Sequence, residues 1–159
     1  PIGPKARNLN KKFVFNEGEF NQLTYWMNRQ IIDDYPLELV SPVDWTDDSQ
    51  NINDRVRSYL DVNCGHCHSP TGNANSTGLY LHLDETRDIH LGLYKKPVAT
   101  GRGSGGLKYS IVPGKPDESI LLHRMISLDP GVMMPESGRA LSHTEAVDMV
   151  REWILVMED

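Results

Sequence analysis

The sequence predicts a mainly α fold built as a single domain of 159 residues. Apolar residues recur at helical spacing in several segments, the apolar content of 38% is typical of a soluble globular chain, and strand-like alternation is confined to one stretch. We expect residues 1–50 to form an N-terminal arm and an extra helix packed on residues 51–159, which hold the functional core. A chain of this length can bury one core together with a sizeable ligand.

The N-terminal part is predicted to be irregular apart from one helix. Residues 1–16 show no clear period and predict an extended arm. A helix is predicted over 18–32, where the apolar face consists of Phe20, Leu23, Met27 and Ile31. Residues 35–50, rich in proline and aspartate, are expected to form a surface connection.

The central part contains a second predicted helix, over 53–63, that ends directly before Cys64. Its core side is expected to consist of Val56, Tyr59 and Leu60. Between 79 and 112 the helical period is lost, and this long irregular insert is predicted to contain a short strand or extended segment. The alternating residues that indicate it are Leu79, Leu81 and Leu83.

Two more helices are predicted in the C-terminal part. One opens at Pro116, a favourable first-turn residue. The other opens at Ser142, which is predicted to form a capping box with Glu145, while Leu141 staples onto Ala146. The apolar face of this last helix consists of Val147, Val150, Trp153, Ile154 and Met157. We expect Tyr59 and Trp153 to lie where the last helix crosses the helix over 53–63.

The two cysteines of the chain both lie in the run Cys-Gly-His-Cys-His at residues 64–68. C-x-x-C-H is the attachment motif of covalently bound c-type haem. Thiols three positions apart can form thioethers with both vinyl groups of the porphyrin, and the imidazole that follows can bind the iron. The motif therefore predicts one haem c, attached through Cys64 and Cys67, with His68 as the proximal iron ligand.

Three other uses of these residues fit the sequence less well. A disulfide between Cys64 and Cys67 would close a very short, strained loop and leave His68 unexplained. A structural zinc site would need a fourth ligand, which does not occur at a recognisable spacing. A thioredoxin-type redox pair calls for a βαβ unit around the motif, and the sequence pattern does not indicate one.

A second axial ligand is expected on the loop between the last two predicted helices. Methionine thioether is a common sixth ligand of haem iron in electron-transfer proteins. Met133 and Met134 lie in this loop, and Pro135 fixes the backbone that follows. We predict Met134 as the ligand, with Met133 as the alternative.

The glycine-rich run at 101–106 allows two interpretations. It is either a mobile surface loop or a segment that folds over the edge of the haem. In the second case Arg102, Lys108 or Tyr109 is expected to donate hydrogen bonds to the haem propionates.

Composition excludes several function classes. The formal net charge of −6 argues against a nucleic-acid partner and favours partners that present a basic patch. The sequence contains no apolar stretch long enough for a membrane span. Haem c is attached outside the bacterial inner membrane, so we expect a periplasmic or extracellular location, with an export signal upstream in a longer parent polypeptide.

Several segments together resemble bacterial class I-like cytochrome c domains, namely 57–68, 112–116, 134–135 and 153–154. Segments 2–10 and 21–23 narrow the likeness to a family found in large exported redox proteins of polysaccharide-degrading bacteria, often linked to carbohydrate-binding modules. The resemblance implies a cytochrome c-like helical fold around one haem. It also implies further domains in the parent chain and redox partner proteins that the sequence does not identify.

The expected function is one-electron transfer by a mono-haem module with His/Met ligation, without enzymatic activity. The alternative is a haem enzyme or ligand sensor with an open or displaceable sixth position, although no distal His-Arg pair is evident. A polysaccharide-binding part would call for exposed aromatic strips, whereas Trp26 and Trp153 fall at core-like helical spacings.

Overall fold

A computed structural model of the protein describes residues 4–98 and 100–158, and the chain divides into two compact units, 1–43 and 44–159. The described residues are mainly helical and include one two-stranded antiparallel sheet, which confirms the mainly α prediction at that level. Ala99 of the predicted insert and the first three residues of the predicted arm lie outside the described residues. Among the helices described, none combines the length and apolar character needed to cross a bilayer.

The first unit contains a β-hairpin between two short helices. In chain order its elements are α1 (Ala6–Leu9), β1 (Lys12–Phe15), β2 (Gly18–Asn21) and α2 (Gln22–Asn28). The predicted arm over 1–16 is therefore wrong where α1 and β1 form. The predicted helix over 18–32 is wrong at both ends, because its first turn is a strand and it stops at Asn28.

The hairpin overrides the helical period for local reasons. Gly18 adopts φ +130°, a conformation that favours glycine, and Phe13 pairs with Phe20 across the two strands. The Asn21 side chain then accepts the backbone N–H groups of Leu23 and Thr24, which makes Asn21 the N-cap of α2. Of the predicted apolar face only Leu23 is buried.

The second unit consists of helices around one apolar core. They are α3 (Ile52–Asn63), α4 (Asp88–Leu91), α5 (Ile120–Ile126) and α6 (Thr144–Leu155). Both α3 and α5 pack against α6. The buried residues of the core are Val56, Tyr59, Leu60, Leu81, Ile111, Leu122, Met125, Ala146, Val147, Met149, Val150, Trp153 and Ile154.

The predicted crossing of α3 and α6 is confirmed. Trp153 donates from Nε1 to the Asn53 side chain of α3 at 3.1 Å. The Tyr59 hydroxyl lies 3.1 Å from Nδ1 of His143, the N-cap residue of α6. The helix that ends at the cysteine motif is thus attached to α6 at two points.

Predictions for the helix starts are wrong in detail. Helix α6 begins at Thr144, and Ser142 donates to the Met125 carbonyl at 3.1 Å instead of capping the helix. Leu141 is exposed, which is inconsistent with the predicted staple. At Pro116 only a 3-10 turn forms, because the buried Ser119 hydroxyl bonds to nearby backbone groups before α5 begins.

Of the two alternatives predicted within 79–112, the short strand does not form among the described residues. The described part of this insert has α4, a 3-10 turn at Gly101–Ser104 and two isolated bridges, Leu93 to Ile111 and Tyr109 to Ser119. Of the alternating leucines, Leu81 is buried, and its N–H donates to the His68 carbonyl at 2.8 Å. The alternation therefore reflects packing onto the cysteine motif rather than a sheet.

Candidate haem-binding site

The cysteine motif forms one helical turn at the end of α3. The Cys64 N–H donates to the Leu60 carbonyl at 2.8 Å, continuing the helical bonding of α3. The Cys64 carbonyl accepts N–H groups from Cys67 at 3.1 Å and from His68 at 2.9 Å. Residues three apart on such a turn are neighbours, so the turn brings Cys64 and Cys67 close together.

Both thiols are free and half-buried. Burial, helped by the neighbouring Cys67, raises the pKa of Cys64 to about 12. A thioredoxin-type cysteine has a lowered pKa, since the thiolate is its reactive form. The environment of Cys64 therefore argues against a dithiol redox site and leaves an uncharged thiol in an apolar setting.

The His68 imidazole is half-buried, and its Nδ1 makes no hydrogen bond of normal geometry. Burial is the largest effect on this ring and lowers its pKa, whereas the Leu79 backbone acts in the opposite direction. A lowered pKa keeps the imidazole neutral near pH 7. Neutral imidazole is the form that binds a metal.

The chain that follows the motif folds back on it. The Ala74 N–H donates to the Cys67 carbonyl at 3.0 Å. Gly72 lies so close that a Cβ at this position would overlap the Cys67 carbonyl and approach the His66 carbonyl. On the other side Gly65 packs against the backbone of Asp61. The motif is thus enclosed by its own sequence neighbours.

The loop between α5 and α6 holds the two candidate methionines. The Met133 N–H donates to the Asp129 carbonyl at 2.7 Å, and the Met134 N–H donates to the Arg124 carbonyl at 3.0 Å. The peptide bond between Met134 and Pro135 is cis. Met133 and Met134 are both half-buried, so burial does not choose between them.

Two arginines that the sequence analysis did not single out attach this loop to α5. Arg124 donates from Nε to the Val132 carbonyl at 2.8 Å. Arg139 donates to carbonyls of Arg124, Met125 and Ser127 at the end of α5. A sequence signal existed only for Arg124, a cation on an otherwise apolar helix face.

Electrostatic effects relate this loop to the cysteine motif. The Arg124 charge lowers the pKa of His68 in addition to burial, and the Glu136 charge opposes it. Burial raises the pKa of Tyr59 to about 12, with a further contribution from Cys64 and an opposing one from Arg139. The loop therefore lies within electrostatic range of the helix and imidazole that carry the motif.

Arg102 and Tyr109 have different surroundings. The Arg102 guanidinium donates to both carboxylate oxygens of Asp129 at 3.0 Å, which attaches it to the start of the methionine loop. The Tyr109 ring contacts the Tyr94 ring edge to face at 5.7 Å and lies 5.0 Å from the Lys108 ammonium. Of these two predicted propionate donors, only Arg102 is linked to the candidate site through its contacts.

The glycine-rich run is packed on α5. A Cβ on Gly103 would lie 3.3 Å from the Arg124 guanidinium, and one on Gly105 would lie 2.5 Å from the His123 ring. These contacts place the run over the helix that supports the methionine loop. The run lies at the surface, with Gly103 as its buried residue.

Among the described residues, no group of three or more His, Cys, Asp and Glu side chains is arranged to hold a metal ion. Comparisons with models of protein families, with curated proteins and with solved structures find no match to this chain. What points to a function is therefore the donor set itself, which consists of two thiols, one imidazole and a thioether.

Proposed function

We propose that this chain binds one haem c and acts as a one-electron transfer module. Cys64 and Cys67 form the thioethers, His68 is the proximal ligand and Met134 is the second axial ligand. The carrying observation is the turn at 64–68, which brings two free thiols three residues apart directly before a half-buried imidazole. When bound, the group supplies a reversible one-electron couple.

The residues present fit such a group. The unbonded Nδ1 of His68 is a buried polar atom whose ring is held through its backbone by Cys64 and Leu81. The Cys64 thiol is uncharged in an apolar setting, which suits addition to a vinyl group better than metal ligation as a thiolate. Methionine as the second ligand favours a higher reduction potential than a second histidine would.

The proposal extends to the setting of the protein. The resemblance to bacterial class I-like cytochrome c domains supports a cytochrome c-like arrangement of α3, α5 and α6. It also supports a periplasmic or extracellular location in a larger parent chain. The redox partner is a protein that presents a basic patch, since the formal net charge here is −6.

The first test compares Met134→Ala with its neighbour Met133→Ala in the haem-loaded protein. We expect the oxidised parent to show the thioether-to-iron charge-transfer band, Met134→Ala to lose it and Met133→Ala to keep it. The physical reason is that only the ligating sulfur contributes this transition. The measurement is the absorption spectrum of the oxidised proteins.

Cys67→Ala serves as the control for attachment. Loss of one thioether should shift the pyridine haemochrome spectrum, and an unchanged spectrum would contradict covalent attachment at this position. A high-spin parent spectrum would contradict methionine ligation and favour the haem enzyme or sensor. If only Met133→Ala abolishes the band, the ligand is Met133.

A further inference from the structure

Arg124 holds the methionine loop at two points. Its Nε donates to the Val132 carbonyl at 2.8 Å, and its own carbonyl accepts the Met134 N–H at 3.0 Å. One residue of α5 therefore fixes the chain on both sides of Met133. Since Met134 itself is one of the two attachment points, any movement of Arg124 moves the backbone that carries the proposed ligand.

The Arg124 guanidinium is partly desolvated. Gly103 covers it so closely that a Cβ there would lie 3.3 Å from the guanidinium carbon. Burial lowers the pKa of Arg124, and the Glu136 charge opposes this effect, yet a guanidinium remains charged in proteins. A charge that is poorly screened by water acts over a longer distance than a solvated one.

The same charge lies close to the proposed second ligand. The Arg124 guanidinium bonds through Nε to Val132, two residues before Met134, and the Arg124 carbonyl bonds to Met134 itself. The charge is therefore held beside the part of the chain that carries the thioether.

We infer that Arg124 is a positioning residue for Met134 and that its half-buried charge raises the reduction potential of the site. This inference rests on the proposed function. The oxidised form of the site carries one positive charge more than the reduced form, so a nearby cation favours the reduced form. The two hydrogen bonds to the loop hold Met134 against competing ligands.

Two variants separate the two roles. Arg124→Lys keeps the positive charge but loses the planar Nε–H that donates to Val132. Arg124→Gln loses the charge as well as the Nε–H. The matched control is Arg151→Gln, because Arg151 lies on α6, with its guanidinium bonded to the exposed Asp117. The measurements are the oxidised absorption spectrum, the concentration of added imidazole that displaces the methionine, and the reduction potential.

In Arg124→Lys and Arg124→Gln we expect imidazole to displace the methionine at a concentration about tenfold lower than in the parent. This is the effect of losing one hydrogen bond made by a charged donor. We expect the potential to fall in Arg124→Gln, to be restored in Arg124→Lys, and to stay at the parent value in Arg151→Gln. This pattern would not arise from a general loss of stability.

The outcomes distinguish this inference from the proposed function. If the parent shows the charge-transfer band and both Arg124 variants match it in displacement and potential, the role of Arg124 is wrong and the proposed function stands. If the parent lacks the band, both are overturned. If Arg124→Gln does not fold, Arg124→Lys alone tests the positioning role. Displacement of its methionine at the parent's imidazole concentration would refute that role.

Discussion

The cysteine motif and the methionine loop are held in place in opposite ways. The turn at 64–68 is bonded to chain that directly precedes and follows it, from Leu60 to Leu81. The side chains of Arg102 and Arg124 bond to the loop at 129–139, and Arg139 of this loop bonds to the end of α5. One half of the proposed site is thus held by backbone hydrogen bonds, and the other half is held largely by arginine side chains, of which Arg102 is the most distant in sequence.

A matched pair of glycines tests this difference most strongly. A Cβ at Gly72 would overlap the Cys67 backbone carbonyl, and a Cβ at Gly131 would overlap the Arg102 guanidinium to a similar degree. Backbone cannot move away, whereas an exposed side chain can. We expect Gly72→Ala to lower the free energy of unfolding by about 2 to 3 kcal/mol and Gly131→Ala by less than about 1 kcal/mol.

Urea denaturation at pH 7 measures both values. Haem incorporation gives a second readout, since only Gly72→Ala should disturb the cysteine motif. Equal losses in the two variants would contradict the distinction between a backbone-enclosed motif and a loop held by side chains.

The stability of the segment that follows the cysteine motif should depend on pH. Arg87 hydrogen bonds, supported by backbone N–H groups, lower the pKa of the buried Glu85 from 4.5 to about 2. The unfolded state therefore binds the proton first, and the stability from Glu85 is present above pH 4.5 and lost as the pH falls toward 2. Because Arg87 is exposed, we expect a loss of about 1 to 2 kcal/mol.

The comparison is between Glu85→Gln and Glu118→Gln, an exposed carboxylate paired with Lys115. Denaturation at pH 7 and pH 3 should show a smaller pH effect in Glu85→Gln and the parent effect in Glu118→Gln. An unchanged pH effect in Glu85→Gln would assign the acid sensitivity to other carboxylates.

The smallest expected effect concerns the end of the methionine loop. Ser142 donates to the Met125 carbonyl and does not cap α6. Ser142→Ala should therefore cost about 0.5 to 1 kcal/mol. Glu145→Ala, which removes the second member of the predicted capping box, should leave stability within about 0.3 kcal/mol. Comparable losses of stability in the two variants, measured by thermal unfolding, would support the predicted capping box.

Helix α3 and the core face of α6 were predictable because each is a continuous amphipathic segment whose period is visible in the sequence. The hairpin of β1 and β2 was not, since Phe20 and Leu23 also fit a helical period and strand pairing competed with it. The leucines at 79–83 were predicted to form a short strand or an extended segment. The strand does not form, because alternation does not reveal that Leu81 bonds to the turn at 64–68 through its backbone.

The sequence by itself determined the donor set of the proposed site: two thiols and an imidazole at the spacing of haem attachment, carried at the end of a helix. Only the tertiary structure decided how the methionine loop is held and where α6 begins. The reason is that three arginine side chains hold the loop: Arg102 bonds to the Asp129 carboxylate, Arg124 to the Val132 carbonyl, and Arg139 of the loop to carbonyls at the end of α5. No periodicity in the sequence records which cation bonds to which carbonyl.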